Sequence, residues 1–365
     1  MNILITCACG GVGRAVAKSL RISSRFKDAH LIGMDIAENK YALYEGLFNR
    51  IYRVPSVIDK DYEFFTREIF EKEKIDLSII NHELEVQFWL NSDFDIKSIL
   101  PPRDFSRIAI NKKRLHDALI NTGLVTEYIT ISRDDIEKNN IRLEANKKYW
   151  IRDFQDSSSA GYGSFMIHDI EDIKAWMKIN PQISEFLVTD FLPGRNLACS
   201  MFYINGELKK IAIQEKLRYI LARVSISGVT GIASESRLIN DKNVRNVAEE
   251  SVTYINDLTG EKMQGIITVD LKEDEIGEAK VTEINLRNIV ACSGFAIGGV
   301  NFAEAQVLAS IEKWDQIGEV EKKFPRNNRI LRDINGELIW VKKYQPLNIG
   351  DCFPKQINKI IPGGK

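Results

Sequence analysis

The chain contains 365 residues, which is more than one ordinary domain needs, so we expect two or three hydrophobic cores of about 100–150 residues each. Its 50 basic residues nearly balance its 51 acidic residues and 44% of its residues are hydrophobic, which is typical of a globular protein and not of a nucleic-acid or membrane-surface binder. No hydrophobic run approaches the roughly 20 residues of a membrane span, and the first residues lack the basic segment of a signal peptide. The five cysteines and four histidines are scattered along the chain. These features predict a cytoplasmic protein without disulfides or a zinc site.

Strand and helix patterns alternate over the first 100 residues. Short hydrophobic runs typical of strands occur at 2–7, 30–34, 50–54 and 76–80. Helical patterns occur at 14–20 and 62–74. This alternation predicts an α/β domain with a doubly wound parallel sheet, a Rossmann-like domain over residues 1–100.

Pro101-Pro102 interrupt this pattern, and a second unit follows. Its helical patterns lie at 112–122, 170–177, 241–258 and 302–314. Its strand patterns lie at 149–152, 165–167, 185–190, 198–204, 208–214, 265–271 and 279–285. The dipeptide Asn205-Gly206 between two of these strands is the strongest short signal for a β-hairpin.

These elements predict an α+β domain over residues 101–315, within which a new unit begins after Gly123. A C-terminal extension at 316–365 carries a further hairpin pattern at 329–344. Its task is either dimer contact, substrate cover or packing.

The strands at 265–271 and 279–285 carry a candidate metal site. Side chains alternate between the faces of a strand, so Glu283 and Asn285 share a face that Asp270 on the neighbouring strand can join. Three oxygen ligands suit Mg²⁺, which takes its remaining ligands from water and nucleotide phosphates. Arg287 falls on the same face, where it can hold a phosphoryl group or a carboxylate. The alternative is an ordinary hairpin with a solvated polar face.

The segment Glu283-Ile284-Asn285-Leu286-Arg287 resembles the E-x-N-P-R signature of ATP-grasp enzymes, in particular the carbamoyl-phosphate synthetase large chain and carboxylate-amine ligases. Three upstream segments resemble other parts of that family in the same order: Asn111-Lys112, Ile151-Arg152 with the Ser/Gly loop at 155–164, and the hinge from Thr189 to Gly194. The resemblance implies a Rossmann-like domain followed by an ATP-grasp domain with a mobile lid subdomain at about 123–190.

The resemblance also implies roles for individual residues. Residues implied to bind ATP are Lys112 and Arg152 at the phosphates, Ser158, Ser159, Gly161 and Gly163 in the closing loop, Asp190, Phe191 and Leu192 at adenine, and Asn196 at the ribose. Two positions depart from the family pattern. Leu286 replaces the usual proline, and Asn196 stands where an acidic residue usually binds the ribose hydroxyls.

The implied activity is that of an ATP-dependent carboxylate-amine (or ammonia) ligase, which forms an acyl phosphate and releases ADP and phosphate. ATP and Mg²⁺, with Mn²⁺ as a substitute, are the expected cofactors. Arg287 would stabilise the acyl phosphate, and Arg223, beside the segment 225–231, would face the acceptor. The expected partners are a small-molecule carboxylate and an amine, with a homodimer as the expected assembly and no nucleic acid or membrane.

Two other functions stay open at this point. The glycine turn after residue 7, with Asp35 downstream, resembles a dinucleotide-binding turn and would suit an NAD(P)-dependent oxidoreductase or epimerase. None of the 11 tyrosines has a lysine four residues later, however, which such an enzyme would want. The missing ribose acid would also suit a nucleotide-binding protein without catalysis. His82, Glu83 and Glu85 either contact an amine substrate or simply begin a helix.

Overall fold

In the computed structural model, the described residues are 1–38, 41–138, 141–144, 146–154, 163–223, 228, 231–332 and 347–353. They form three β-sheets and the helices packed on them. Among these residues, no helix is both long and hydrophobic enough to cross a bilayer.

The N-terminal sheet is parallel along its first four strands. Its elements in chain order are β1 (Asn2–Thr6), α1 (Gly11–Arg21), β2 (His30–Asp35), β3 (Arg50–Arg53), α2 (Tyr62–Glu73), β4 (Leu77–Ile79) and α3 (Glu83–Asn91). The spatial order is β3-β2-β1-β4, and helices cover both faces, which explains why these strands read as continuous hydrophobic runs. The predicted alternation is confirmed, and α3 begins at Glu83, where the sequence offered a helix start as one of two interpretations.

Two short helices lead out of this sheet, α4 (Arg103–Ala109) and α5 (Lys112–Leu119). Asn111 caps α5 by accepting a hydrogen bond from the Arg114 amide. A 3₁₀ turn then ends at Gly123, whose φ of +76° stops the helix where the sequence predicted.

The next sheet has a hydrophobic core of its own. Its elements are β5 (Tyr128–Ser132), α6 (Arg133–Glu137), β6 (Tyr149–Arg152), β7 (Phe165–Ile167), α7 (Ile170–Ile179) and β8 (Glu185–Asp190). The strands are antiparallel in the order β5-β8-β6-β7. Ile151, Ile173 and Phe186 fill the core beneath α7. The predicted bounds of β6, β7 and β8 match residue for residue.

The largest sheet is antiparallel and carries the candidate site. Its main elements are β9 (Asn196–Ile204), β10 (Glu207–Tyr219), β11 (Ala233–Ile239), α8 (Lys242–Thr259), β12 (Gly265–Glu273) and β13 (Ala279–Asn285). The strand order is β13-β12-β9-β10-β11. The β9–β10 hairpin turns at Asn205 and Gly206, whose φ angles of +50° and +87° are those of the predicted two-residue turn.

The C-terminal part joins two of the sheets. Helices α9 (Cys292–Ile297) and α10 (Phe302–Ser310) pack against α1, and α10 also lies on β4, β9 and β12. Strand β14 (Ile330–Leu331) extends the large sheet beside β11, whereas β15 (Cys352–Phe353) pairs with β3 of the N-terminal sheet. Most of the predicted 329–344 hairpin lies outside the described residues, and the domain boundaries at 100 and 315 stay predictions.

Both large hydrophobic clusters include residues from the N-terminal and the large sheet. One contains Leu4 with Val269, and the other contains Leu31 with Phe202 and Phe302. The two sheets are therefore packed through common cores, and this packing fixes the ends of β4 and β13 next to each other.

A buried acid lies in the first of these clusters. Glu85 is only 8% exposed, and the Tyr62 hydroxyl donates a 2.7 Å hydrogen bond to its carboxylate. Burial raises the pKa of Glu85 from 4.5 to about 7. A carboxyl group whose pKa is higher in the folded state stabilises the protein below pH 4.5, and this contribution is lost as the pH rises towards 7.

We predict that Glu85→Gln removes this pH-dependent loss of folding stability. The free energy of unfolding of the variant relative to wild type should rise by about 2 kcal/mol between pH 5 and pH 8, because glutamine has no proton to lose and its amide oxygen still accepts from Tyr62. Urea denaturation at both pH values measures this difference. Exposed Glu68 on α2 provides the matched control, and a Glu85→Gln effect equal to that of Glu68→Gln at both pH values would contradict the pKa shift.

We also predict unequal costs for alanine at two glycines with positive φ. A Cβ on Gly265 would lie 2.8 Å from the Pro101 amide nitrogen, whereas a Cβ on Gly206 would meet no atom within 4 Å. Gly206→Ala should therefore lower the free energy of unfolding by about 1 kcal/mol and Gly265→Ala by about 3 kcal/mol, since only the second adds a backbone clash to the left-handed strain. Equal midpoints of urea unfolding for the two variants would refute the close contact between β12 and residues 99–101.

Candidate functional site

The three predicted metal ligands converge on one face of the large sheet. Asp270 on β12 is directly opposite Glu283 on β13, and Asn285 follows on the same face. The Asn285 side-chain amide donates a 3.2 Å hydrogen bond to Asp270 Oδ2. Two carboxylates and an amide carbonyl are hard oxygen donors that fit Mg²⁺. Among the described residues, no group of three or more Asp, Glu, His or Cys side chains could hold a metal ion by itself.

Lysines neutralise both carboxylates. Lys216 Nζ lies 2.9 Å from Asp270 Oδ1, and Lys112 Nζ lies 3.7 Å from Glu283 Oε2. Burial raises the pKa of Glu283. The positive charge of Lys112 and the hydrogen bond between the Glu283 and Asp270 side chains outweigh burial, and together they lower the pKa of Glu283 to about 2. Glu283 is therefore ionised at neutral pH. Burial raises the pKa of Asp270 above its ordinary value, against the opposing charge of Lys216.

Arg152 reaches the same corner from β6. It is 6% exposed, and its guanidinium donates a 3.0 Å hydrogen bond to the Thr282 carbonyl on β13. Its Nε is buried and has no partner among the described residues. Burial lowers the pKa of Arg152 only to about 10, so the side chain stays charged at neutral pH. A buried cation with an unused donor is suited to an incoming anion such as a phosphate.

His116 contacts the backbone of Lys112 and the side chain of Arg152. Burial and the charge of Arg152 lower the pKa of His116 to about 3, so its ring is neutral. Its Nδ1 is 2.8 Å from the Lys112 carbonyl oxygen, to which only a protonated Nδ1 can donate. This tautomer leaves Nε2 as the acceptor that faces Arg152 Nη2 at 3.5 Å.

The predicted adenine hinge connects β8 to β9. Asp190, at the end of β8, forms an ion pair with Lys147 at 2.9 Å, and the Phe191 amide donates to the Lys148 carbonyl. Leu192 is buried, and Lys272 Nζ lies 5.7 Å from the centre of the Phe191 ring. The hinge residues are thus held in place beside the large sheet, and their contact with adenine stays a prediction.

Lysines flank Asn196, the residue that is predicted to bind the ribose. Asn196 begins β9, with Lys216 of β10 opposite it on one side and Lys272 of β12 on the other. Cross-strand partners share a face, so this corner is basic.

The small-residue loop is described only at its end. Gly163 has a φ of +66°, and its carbonyl accepts a 2.8 Å hydrogen bond from the indole of Trp176. This contact anchors the loop to the core beneath α7. Ser158, Ser159 and Gly161 lie outside the described residues, so the contact of the loop with phosphates stays a prediction.

Arg287 connects the site to the N-terminal sheet. Its guanidinium lies near Glu283, but its ion-pair partner is Glu83, the first residue of α3, at 2.7 Å. The neighbouring Asn288 side chain donates a 3.1 Å hydrogen bond to Asn81 Oδ1 at the end of β4. Arg223 is exposed and directly precedes residues outside the described part, so its role stays a prediction.

The start of α3 bears on the two interpretations of His82, Glu83 and Glu85, as substrate contacts or as the beginning of a helix. His82 caps the helix by accepting a hydrogen bond from the Leu84 amide, and Glu83 occupies its first position. The interpretation of these residues as a helix start is confirmed. Glu83 also forms an ion pair with Arg287, a contact that sequence reasoning missed.

The glycine turn after β1 is held by Asp35 and covered by Val290. The Asp35 carboxylate accepts hydrogen bonds from the Cys9 amide at 2.8 Å and the Ala37 amide at 2.9 Å, so it braces the turn. A Cβ on Gly11 would lie 3.3 Å from Val290 Cγ2, which shows that the segment before α9 packs onto the turn. Asp35 and Val290 thus both contact the turn on which the dinucleotide-binding interpretation depends.

Comparison with known sequences gives no match, because no protein-family model and no curated protein is similar enough. Solved structures do match. N5-carboxyaminoimidazole synthetase from Staphylococcus aureus, complexed with ADP, has a TM-score of 0.63 at 15% identity over 90% of this chain and 79% of that one. Phosphoribosylamine–glycine ligase from Thermotoga maritima has a TM-score of 0.62 at 13% identity over 88% and 78%. L-amino acid ligase from Bacillus licheniformis has a TM-score of 0.60 at 15% identity over 85% and 74%.

These structural neighbours are ATP-grasp ligases. The similarity spans most of this chain and includes both the N-terminal sheet and the sheet that carries the site. At such low identity it establishes the fold and not the reaction. The chain therefore has the α/β fold of the ATP-grasp ligases, as the sequence predicted.

Proposed function

We propose that this protein is an ATP-dependent carboxylate-amine (or ammonia) ligase that acts through an acyl phosphate. The observation that carries the proposal is the convergence of Asp270, Glu283 and Asn285 with the buried cations Lys112 and Arg152, in a chain with this fold. This is an arrangement for binding a metal and phosphates together.

In this proposal the acidic residues and Asn285 bind the metal, whereas the buried cations bind the phosphates. Mg²⁺, held by Asp270, Glu283 and Asn285, would supply charge neutralisation between the phosphates of ATP. Lys112 and Arg152 would hold the outer phosphate oxygens, and the unused Nε donor of Arg152 supports this role. Burial of both side chains strengthens such contacts because water is excluded.

The reaction transfers one phosphoryl group and forms one C–N bond. A substrate carboxylate oxygen attacks the γ-phosphorus of ATP and ADP leaves. The nitrogen of an amine then attacks the acyl carbon and phosphate leaves, while the nitrogen gives up a proton. Arg287 would stabilise the acyl phosphate, and its ion pair with Glu83 supports a fixed orientation of the guanidinium.

We also propose the accompanying organisation. A Rossmann-like domain at 1–100 would shape the substrate side, the lid at about 123–190 would close over ATP, and 316–365 would be an extension. The glycine turn would have a structural task, because Asp35 and Val290 occupy it. A cytoplasmic homodimer is the proposed state of the protein.

The test is an ADP-release screen against pooled amino acids, sugar acids and amines in the presence of MgATP. A pool that gives ADP release above background identifies the donor class. Release of phosphate with the same stoichiometry, and a new amide in the mass spectrum, are expected for a ligase.

We predict that Glu283→Gln lowers ADP release by at least about 100-fold, because a metal ligand that is charged in the wild type becomes neutral. Circular dichroism and thermal melting should match wild type. Glu278→Gln at the exposed β12–β13 turn is the matched control and should keep full activity. Activity of Glu283→Gln within about twofold of this control would exclude the metal assignment.

The basic ribose corner favours one competing function, nucleotide binding without catalysis. Asn196 between Lys216 and Lys272 lacks the acidic side chain that usually binds the ribose hydroxyls. Saturable ATP binding in calorimetry, with no ADP release in any pool, would favour this function over the ligase.

A further inference from the structure

We propose that Lys216 is an additional phosphate-binding residue and that, without nucleotide, it closes the divalent-cation site by pairing with Asp270. The protein would consequently take up the cation together with a nucleotide and not alone. This inference rests on the proposed nucleotide site, but it concerns binding and not turnover.

Every predicted metal ligand is engaged by a neighbouring side chain. Asp270 contacts Lys216 through Oδ1 and accepts from Asn285 through Oδ2, and Glu283 pairs with Lys112. Asn285 directs its NH₂ group, not its carbonyl oxygen, at Asp270. Coordination by Asp270 Oδ1 therefore competes with the Lys216 ammonium, and coordination by the Asn285 carbonyl oxygen requires that its amide turns.

The pair of Lys216 and Asp270 is shielded from water. Their side chains are 14% and 15% exposed, far less than those of a surface ion pair. Separation of such a pair without a replacement would leave a desolvated charge on each side. A cation alone replaces the charge beside Asp270 but leaves Lys216 without an anion.

Nucleotide phosphates would supply that anion. Lys216 lies on the same face as Asp270, near Glu283 and opposite Asn196, so its Nζ borders the space that Lys112 and Arg152 face. The regular pairing of β10 with β11 is interrupted directly after Lys216. A long, flexible lysine side chain at the end of a regular ladder can turn from a carboxylate to a phosphate without movement of the sheet.

A purely structural ion pair makes a different prediction. In that case Lys216 would stay on Asp270 when nucleotide binds, and its removal would weaken cation binding by disturbing Asp270. Closure by Lys216 instead predicts that its removal improves binding of the cation alone and weakens binding of the nucleotide.

The experiment measures Mn²⁺ binding to the full chain by the electron paramagnetic resonance signal of free Mn²⁺, with and without a non-hydrolysable ATP analogue, and the Mn²⁺ that the analogue binds in a protein-free sample is subtracted. For wild type we expect at least tenfold tighter Mn²⁺ binding with the analogue than without it. Lys216→Met and Lys216→Gln should bind Mn²⁺ alone at least tenfold more tightly than wild type and should bind the analogue at least fivefold more weakly. Lys216→Arg should behave as wild type.

Lys209→Met, on the same strand and paired with Glu207 outside the site, is the matched control and should change neither affinity. The glutamine variant keeps a donor towards Asp270, so it provides a folded variant if methionine disturbs the sheet. Wild-type binding of Mn²⁺ that the analogue does not tighten would overturn the proposal, as would unchanged or weaker Mn²⁺ binding by folded Lys216 variants. A screen without ADP release would remove the ligase function and leave these binding results intact.

Discussion

The pairing of β12 with β13 is the constraint on which the rest of the site depends. It places Asp270 opposite Glu283, and the register shift directly after Asp270 leaves Thr282 without a partner in the ladder, which then continues from Leu271 opposite Val281. The other edge of β12 pairs with β9, which brings Asn196 and, through β10, Lys216 to the same side. A shift of this ladder by one residue would turn every one of these side chains to the opposite face.

The site also depends on charge balance, because it brings several ionised side chains together where they are shielded from water. Burial alone would disfavour the charged forms of Asp270, Glu283, Lys112, Arg152 and Lys216. Mutual pairing offsets that cost, so the sheet can hold the groups near one another before any ligand is present. His116 and Thr282 complete the arrangement by accepting hydrogen bonds from Arg152.

The sequence predicted much of this arrangement, since strands that are buried on one face carry a clear alternation of hydrophobic and polar residues. The bounds of β6, β7 and β8 and the Asn205-Gly206 hairpin follow directly from local patterns. The positions of Asp270, Glu283 and Asn285 follow from strand parity and from the resemblance to the ATP-grasp signature. The ligase reaction and the residues outside the described part stay predictions.

Other features could not be predicted because they depend on contacts between distant segments. Counting back from the hairpin turn would place Glu215 opposite Asn196, but a bulge between Leu208 and Lys210 shifts the register and places Lys216 there. The ion pair of Glu83 with Arg287 joins two sheets, and no local pattern reports such a contact. Helices α4 and α9 are too short for a clear helical period.

The C-terminal strands have a mechanical consequence. One short stretch of chain contributes β14 to the edge of the large sheet and β15 to the edge of the N-terminal sheet, where the Arg53 guanidinium also donates to the Leu347 carbonyl. A change that separated the two sheets would have to preserve both of these strand pairings or break one of them. The C-terminal strands therefore form a second connection between the sheets, in addition to their common hydrophobic cores.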